Sequence, residues 1–518
     1  MHEEVQVSEQ VKAALALVKS DQDEGTFFTH PFEFELYASN KDWLSAAEKQ
    51  LTSGHYVPAQ ARAIDVPKPG FHIRPASHLS IQDQLALQYI LLECKNQLAP
   101  FLAWSAGNIR FSYILSNKTN KWFTSTLAGW KNFRTASLAK IESGAQNVLI
   151  TDISGFYENI DIQRLITELK YAGVKTETAN LLSACLNKWA GPRHRGIPQG
   201  FTPAHLLSEF YLDSMDRSLK SAGFDHLRYA DDIRIFSKTK DEARRGLHKL
   251  TVLLRDRGLN LQTAKSKILS GEEAKQEIDG VQPVINGVSS KMAEELELLE
   301  AIGYVGLEES KKALENHESP PPEVLKIAWT EFSNGEHGGF NKTLFHYLLN
   351  RLAVAGMDDA ILYVLDCLRE RPEETKYCLD YLNHFSQAYP GSIGQVVDIL
   401  VDGGTLYEYQ RYLILKWLFE SKIKNEKVLD FCRSVGAWSG DRIVVRPYVI
   451  AYVGLFAMHH DQELLELLYR DSTDWLDRAT IVCAIRHTAP ELRNSFYGRV
   501  FGENPLVDAA VKYSKTKT

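Results

Sequence analysis

Two adjacent aspartates, Asp231 and Asp232, sit inside RYADDIRIFSK (228–238), whose β-branched and aromatic residues otherwise predict an amphipathic hairpin. Asp tolerates left-handed backbone and hydrogen-bonds its own main chain, so a plain turn is one reading. The other is a metal platform. Hard divalent cations such as Mg²⁺ take carboxylate oxygens, and two carboxylates on a tight turn serve one ion or a pair. Adjacent residues cannot surround two ions, so the platform needs a third carboxylate from elsewhere. VLITDISGFYENID (148–161) offers Asp152 at the end of an apolar strand, where packing gives no reason for a charge. A helix begins a few residues later, so an N-cap is the alternative for Asp152. Strand–Asp–turn–helix followed by hairpin–Asp-Asp brings three carboxylates onto one sheet edge, where they can grip two Mg²⁺ ions and an incoming triphosphate.

Other stretches fall where such a reaction needs them. RGIPQGFTPAHLLSEFYLDSMD (195–216) sets Gly-Ile-Pro-Gln-Gly before a long amphipathic helix. Its glycines, Gly200 among them, let the backbone approach a base or sugar, and Gln199 offers an amide to polar edges. VPKPGFHIRP (66–75) holds Lys68 and Arg74 on a Pro/Gly-rich hairpin, suited to phosphate oxygens. GLNLQTAKSKI (258–268) places Lys265 after a turn, a candidate proton donor to a leaving pyrophosphate. Taken singly, each has a plainer explanation as a loop before a helix or a solvated surface cation.

The elements that must position these groups divide the 518-residue chain, whose length favours two or three domains. QNVLITDI (146–153) and IRIFSK (233–238) read as strands. IQRLITELKYAG (162–173) and DEARRGLHKLTVLLRDRG (241–258) read as helices ending in Gly. An α/β domain is therefore expected over 1–270. KMAEELELLEAIGYVG (291–306) predicts a helical linker over 271–323, closed by the prolines of ESPPPE (318–323). From 324 to 518 successive helical runs follow, among them KTLFHYLLNRLAVAG, SIGQVVDILVDGG and QRYLILKWLFESK. Their spacing predicts stacked helical pairs in the manner of HEAT-type solenoids.

Charge divides the same way. The net charge of −7 combines 33 Lys+Arg against 28 Asp+Glu in 1–270 (+5) with 26 against 38 in 271–518 (−12). The first part can handle phosphates, whereas the second is poorly suited to wrapping nucleic acid. Six cysteines without CxxC spacing read as reduced core residues. No apolar run approaches a bilayer span, and the acidic start is unlike a signal peptide. A cytoplasmic chain with no membrane partner is expected.

Taken in order, VPKPGFHIRP, DISGFY, GIPQG, YADD and GLNLQTAKSK resemble the fingers motif and motifs A to D of reverse transcriptases, over about residues 55–270. The resemblance implies a reverse-transcriptase-like palm and fingers, with Asp152, Asp231 and Asp232 as catalytic, metal-binding carboxylates. Lys68 and Arg74 would contact the triphosphate of a dNTP, and Tyr157 would exclude a ribose 2′-OH. The cofactor implied is a pair of Mg²⁺ ions, with Mn²⁺ able to substitute. The chain departs from templated relatives after Gly200, where Phe201-Thr202-Pro203-Ala204-His205 puts the usual template grip in doubt. An acidic helical array also stands where a basic thumb would follow. That architecture resembles the abortive-infection (Abi) polymerases of bacterial anti-phage defence, and most their prophage-encoded branch. The family implies protein-primed, template-independent DNA synthesis, a single-stranded DNA product covalently attached to the protein, a homo-oligomer and an unknown phage trigger. Tyr37 and Tyr56, near the fingers, are candidate priming hydroxyls. The alternatives are a templated enzyme of retron or intron type, and an inactive phage-sensing scaffold.

Overall fold

The computed structural model describes residues 7–24, 27–118, 120–278, 314, 319–336, 339–434, 444–456 and 458–516. The helical run expected over 291–306 lies outside them, so most of the proposed linker does too. Two separate sheets occur among the described residues. One is the hairpin of β1 (Arg62–Lys68) and β2 (His72–His78), with Val66 opposite Arg74 and Lys68 opposite His72. The other contains β3 (Asn147–Ser154), β4 (Asp225–Tyr229), β5 (Asp232–Ser237), β6 (Asn260–Leu261) and β7 (Lys267–Ser270), all paired antiparallel.

Strand alternation explains how the larger sheet is buried on both faces. Leu149 and Ile153 of β3, with Ile233 and Ile235 of β5, enter a core built mainly by helices Glu9–Glu24, Ile81–Ala103, Thr176–Ala190 and Ala204–Ser221. Val148 and Phe236 belong to a smaller cluster on the other face, with Phe133, Leu227, Tyr229 and Ala274. Asp152 continues the Val148–Ile150 series of β3, and its side chain is 14% exposed where the strand ends. Gly155, in the left-handed region, then turns the chain into the short helix Phe156–Asn159.

Beyond residue 319 the described chain is helical, from Pro322–Ser333 to Pro505–Thr516. Alternate helices pack in succession: Lys342–Val354, Thr375–Phe385, Glu408–Glu420, Arg446–Leu455, Trp475–Ile485 and Pro505–Thr516 form one row. Ile361–Glu370, Pro390–Val401 and Glu426–Ser434 begin a second row beside it. Helices start one or two residues away from the apolar runs because caps set their ends. Asn341 accepts from Leu344 N and Asp474 from Leu476 N, so the helices begin just after them.

The core of this array reaches past its own segment. Phe28, Phe32 and Leu36 from near the N-terminus, and Ile64, Val66 and Ala76 from the β1–β2 hairpin, are buried in the same apolar cluster as Leu365, Leu415 and Tyr448. Polar bonds follow the same seam. Thr29 N donates to the Tyr412 hydroxyl at 2.8 Å, Lys416 Nζ to Thr29 Oγ1 at 2.8 Å, and the Tyr407 hydroxyl to the Phe71 carbonyl at 2.8 Å. All six cysteines are buried free thiols, as their apolar surroundings in the sequence predict. Among the described residues no helix is long and apolar enough to cross a membrane.

Candidate active site

β3 and β5 pair with Asp152 directly opposite Asp232. β4 and β5 pair with Tyr229 opposite Asp232, which leaves Ala230 and Asp231 as a two-residue turn. The three carboxylates therefore meet at one end of the sheet. Ala230 holds φ at 51°, a left-handed conformation that costs a non-glycine residue about 1–3 kcal/mol. Burial, then the neighbouring Asp152 and Asp232, push the Asp231 carboxyl well above the usual carboxylate range. Asp152 Oδ1 is buried without a hydrogen-bond partner, while Asp152 Oδ2 takes Lys265 Nζ at 2.5 Å. Partial burial works against the charge on Lys265, but the Asp152 bond and the other two aspartates outweigh it and raise its pKa.

A cluster of mutually repelling hard oxygens with one orphaned acceptor is suited to a divalent cation. Among the described residues no three His, Cys, Asp or Glu groups converge tightly enough to hold an ion as they stand. With Asp152 Oδ2 engaged by Lys265, closure around a cation would require that ammonium to give way.

The cationic side of the site comes from the hairpin. Lys68 lies within the electrostatic reach of Arg74, Glu158, Lys265 and Asp152, and burial followed by Arg74 lowers its pKa. Gly70 and Phe71, both at positive φ, make the tight hairpin end that brings Lys68 and Arg74 onto neighbouring strands.

Tyr157 is 8% exposed, directly after the Gly155 turn. Its hydroxyl meets His205 Nδ1 and lies 3.2 Å from Ser208 Oγ. His205 in turn stacks on Tyr113 at 3.8 Å between centroids, and burial holds it neutral with a pKa of about 3. The unusual His205 after the motif B loop is thus a half-buried support for Tyr157, a role the sequence reading did not assign.

That loop is stitched to its neighbours through the main chain. Gly196 N donates to the Ile160 carbonyl at 2.8 Å, Ile197 N to Tyr157 at 2.9 Å, and Ser77 N to Gln199 at 3.3 Å. At Gly200, with φ of 105°, an added Cβ would lie 2.5 Å from Cδ2 of Phe27. The close approach that this glycine permits is made by the Phe27 ring. The two candidate priming tyrosines face inward: Tyr56 gives its hydroxyl to Asp83 at 2.9 Å, and Tyr37 packs on Trp43 at 4.4 Å. Burial first, with carboxylate neighbours, drives both phenols far above the usual tyrosine range.

Beneath the Ala230–Asp231 turn lies a charged cluster that sequence reasoning missed. Arg228, fully buried, donates to Asp216 Oδ2 at 2.7 Å and to Glu209 Oε2 at 2.7 Å. Burial alone would raise Asp216, but the Arg228 guanidinium outweighs it and holds the carboxyl near 2. Arg110 adds a second buried cation, 3.9 Å from Glu209. The only signal available beforehand was Arg228 itself, a cation in DHLRY just ahead of the aspartate pair.

This sheet-end carboxylate geometry coincides with a family match. Residues 66–307 match the family described as reverse transcriptase (RNA-dependent DNA polymerase), and the chain is reverse-transcriptase-like over that span. No curated protein matches the chain. Among solved structures it is similar to a partial Cas6-RT-Cas1–Cas2 complex at 18% identity, covering 48% of this chain and 40% of that one, with a TM-score of 0.29. It is also similar to Candida tropicalis telomerase in complex with a TWJ fragment of telomeric RNA, at 14% identity over 65% of each chain, with a TM-score of 0.31. Candida albicans telomerase, likewise with a TWJ fragment, shares 12% identity over 75% of this chain and 68% of that one, also at 0.31.

Proposed function

We propose that the protein is a DNA polymerase whose catalytic carboxylates are Asp152, Asp231 and Asp232. The observation that carries this is the register placing Asp152 opposite Asp232 with Asp231 on the adjoining turn, inside the reverse-transcriptase match. The three would hold two Mg²⁺ ions, or Mn²⁺, which when bound neutralise the developing charge of phosphoryl transfer. Lys68 and Arg74 bind the triphosphate of an incoming dNTP. Lys265, now on Asp152 Oδ2, would hand a proton to the departing pyrophosphate once released from that carboxylate. Tyr157, fixed by His205 and Ser208, presses against the sugar at C2′ and disfavours a ribose. Gln199 lines the nucleotide's approach from the motif B loop, next to Gly200, whose open face is taken by Phe27.

The same reading extends to protein-primed, template-independent synthesis in abortive-infection defence, with a homo-oligomer carrying single-stranded DNA and responding to a phage trigger. Two features support it. Phe27 covers Gly200 at the loop where a template base would otherwise approach. The array that follows the palm is acidic in sequence and suits a HEAT-like solenoid rather than a clamp for a primer–template duplex. A strand without that clamp is retained more effectively by a covalent bond, which makes each next addition intramolecular. The phenol that starts the chain is not assigned; the seclusion of Tyr37 and Tyr56 argues against both. The experiment is to incubate purified protein with Mg²⁺ and labelled dNTPs alone, denature it, and resolve it with and without DNase. An adduct that survives denaturation and collapses on DNase treatment is expected. Strict dependence on added primer and template, with free DNA as product, would instead place the chain among templated enzymes.

A further inference from the structure

Ala230 is a non-glycine residue in the left-handed region at the point from which Asp231 projects, so something other than its own preference must hold it there. Both of its backbone polar groups are held by buried side chains. Ala230 N donates to Ser112 Oγ at 2.8 Å, and Arg228 donates to the Ala230 carbonyl at 2.9 Å. Ser112 comes from a segment alongside β4, joined to it by Phe111 N to the Arg228 carbonyl at 3.0 Å and Arg228 N to the Ile109 carbonyl at 2.7 Å.

The direction of each bond is settled by Glu209. One of its oxygens accepts the Ser112 hydroxyl at 2.5 Å and the other accepts Arg228 at 2.7 Å. The Ser112 proton is therefore committed to the carboxylate, which leaves its lone pair for the Ala230 N–H. Ser112 and Arg228 are fully buried and Glu209 is 1% exposed, so water does not compete for these bonds.

We propose that Ser112 and Arg228, both oriented by Glu209, are positioning residues that clamp the Ala230–Asp231 turn and thereby aim the Asp231 carboxylate at the metal position. The inference rests on the polymerase reading for its consequence and on the clamp geometry for its cause. Ser112→Ala removes one jaw and leaves the Ala230 N–H without its acceptor. The expected result is a roughly 10- to 100-fold fall in kcat for dNTP incorporation, with KM for dNTP little changed. Mn²⁺ binding followed by electron paramagnetic resonance should need a correspondingly higher ion concentration for half-saturation. Adding Ala230→Gly should recover several-fold of the loss, because glycine adopts positive φ without the clamp. A residue that only fills space would lower the melting temperature without moving Mn²⁺ binding, and would gain nothing from the glycine.

If Ser112→Ala folds poorly, the isosteric pair Ser112→Thr and Ser112→Val separates the hydroxyl from the packing; Thr should outperform Val in both readouts. Wild-type Mn²⁺ binding and kcat in a folded Ser112→Ala, or equality of Thr and Val, would overturn the clamp while leaving the polymerase assignment standing. A wild-type protein that incorporates no nucleotide would count against the polymerase. The Mn²⁺ titration would then still decide the clamp, since weaker binding by Ser112→Ala is expected whatever reaction the carboxylates serve.

Discussion

The carboxylates of the candidate site and the two hairpin cations, Lys68 and Arg74, are held by different cores, while Lys265 stays with the carboxylates. Asp152 and Asp232 face each other across a hydrogen-bonded strand pair whose apolar residues pack within the palm. Lys68 and Arg74 hang from a hairpin whose buried side chains, Ile64, Val66 and Ala76, belong to the helical array. The palm sheet, where metal chemistry is proposed, is braced on both faces by residues of its own segment. The hairpin, where phosphate would bind, is braced by helix Glu408–Glu420 and the turn Pro372–Glu374. Damage to the array should therefore disturb nucleotide binding before it disturbs the carboxylates, and the reverse should hold for the palm.

The sharpest way to break that contrast is within the palm. Asp231→Asn should lower incorporation by more than the roughly 100-fold upper range of changes behind a metal ligand, with melting unchanged or slightly raised as carboxylate repulsion eases. Near-normal Mg²⁺-dependent incorporation by the folded variant would remove the site. Next comes the hairpin core. Ile64→Ala should destabilise by about 2–5 kcal/mol. Hydrogen exchange should then show protection lost over Glu408–Glu420 rather than over Thr176–Ala190; the opposite pattern would assign the hairpin to the palm.

Two smaller effects sharpen the comparison. Tyr157→Ala should raise rNTP use relative to dNTP by roughly 5- to 150-fold, the equivalent of about 1–3 kcal/mol of lost steric exclusion. An unchanged ratio would make Tyr157 packing alone. Tyr407→Phe removes one hydroxyl from the Phe71 carbonyl, a bond worth about 0.5–1.5 kcal/mol. It should raise KM for dNTP by roughly 2- to 12-fold with kcat unaffected. A change confined to kcat would mean that the array communicates with the carboxylates instead.

The sequence made the carboxylate geometry readable because it depends on local pattern: a β-branched run ending in Asp152, and a hairpin turn at Ala230–Asp231. Period and turn chemistry place such residues without knowledge of the rest of the chain. The clamp was not readable. Ser112 and Glu209 are polar residues far apart in sequence, and only folding brings them under one turn. The same holds for Phe28, Phe32 and Leu36, whose apolar character announces a core without saying which one. RPYVIAYVGL illustrates a further limit. Its β-branched and aromatic run could serve as a strand, yet Arg446–Leu455 is a buried helix because neighbours on both sides in its row cover it.

The sharing of one core between the β1–β2 hairpin and the array has a consequence for how such chains diversify. A recombination event that joined this palm to a foreign array at residue 278 would import helices never selected against Ile64, Val66, Phe28 or Phe32. The hybrid would carry a mismatched interior on the strands bearing Lys68 and Arg74, even with every residue of the palm intact. Array and hairpin are therefore bound to drift together, and substitutions at Val66 or Ala76 should track those at Leu415 and Tyr412 more closely than those at Asp152's own strand.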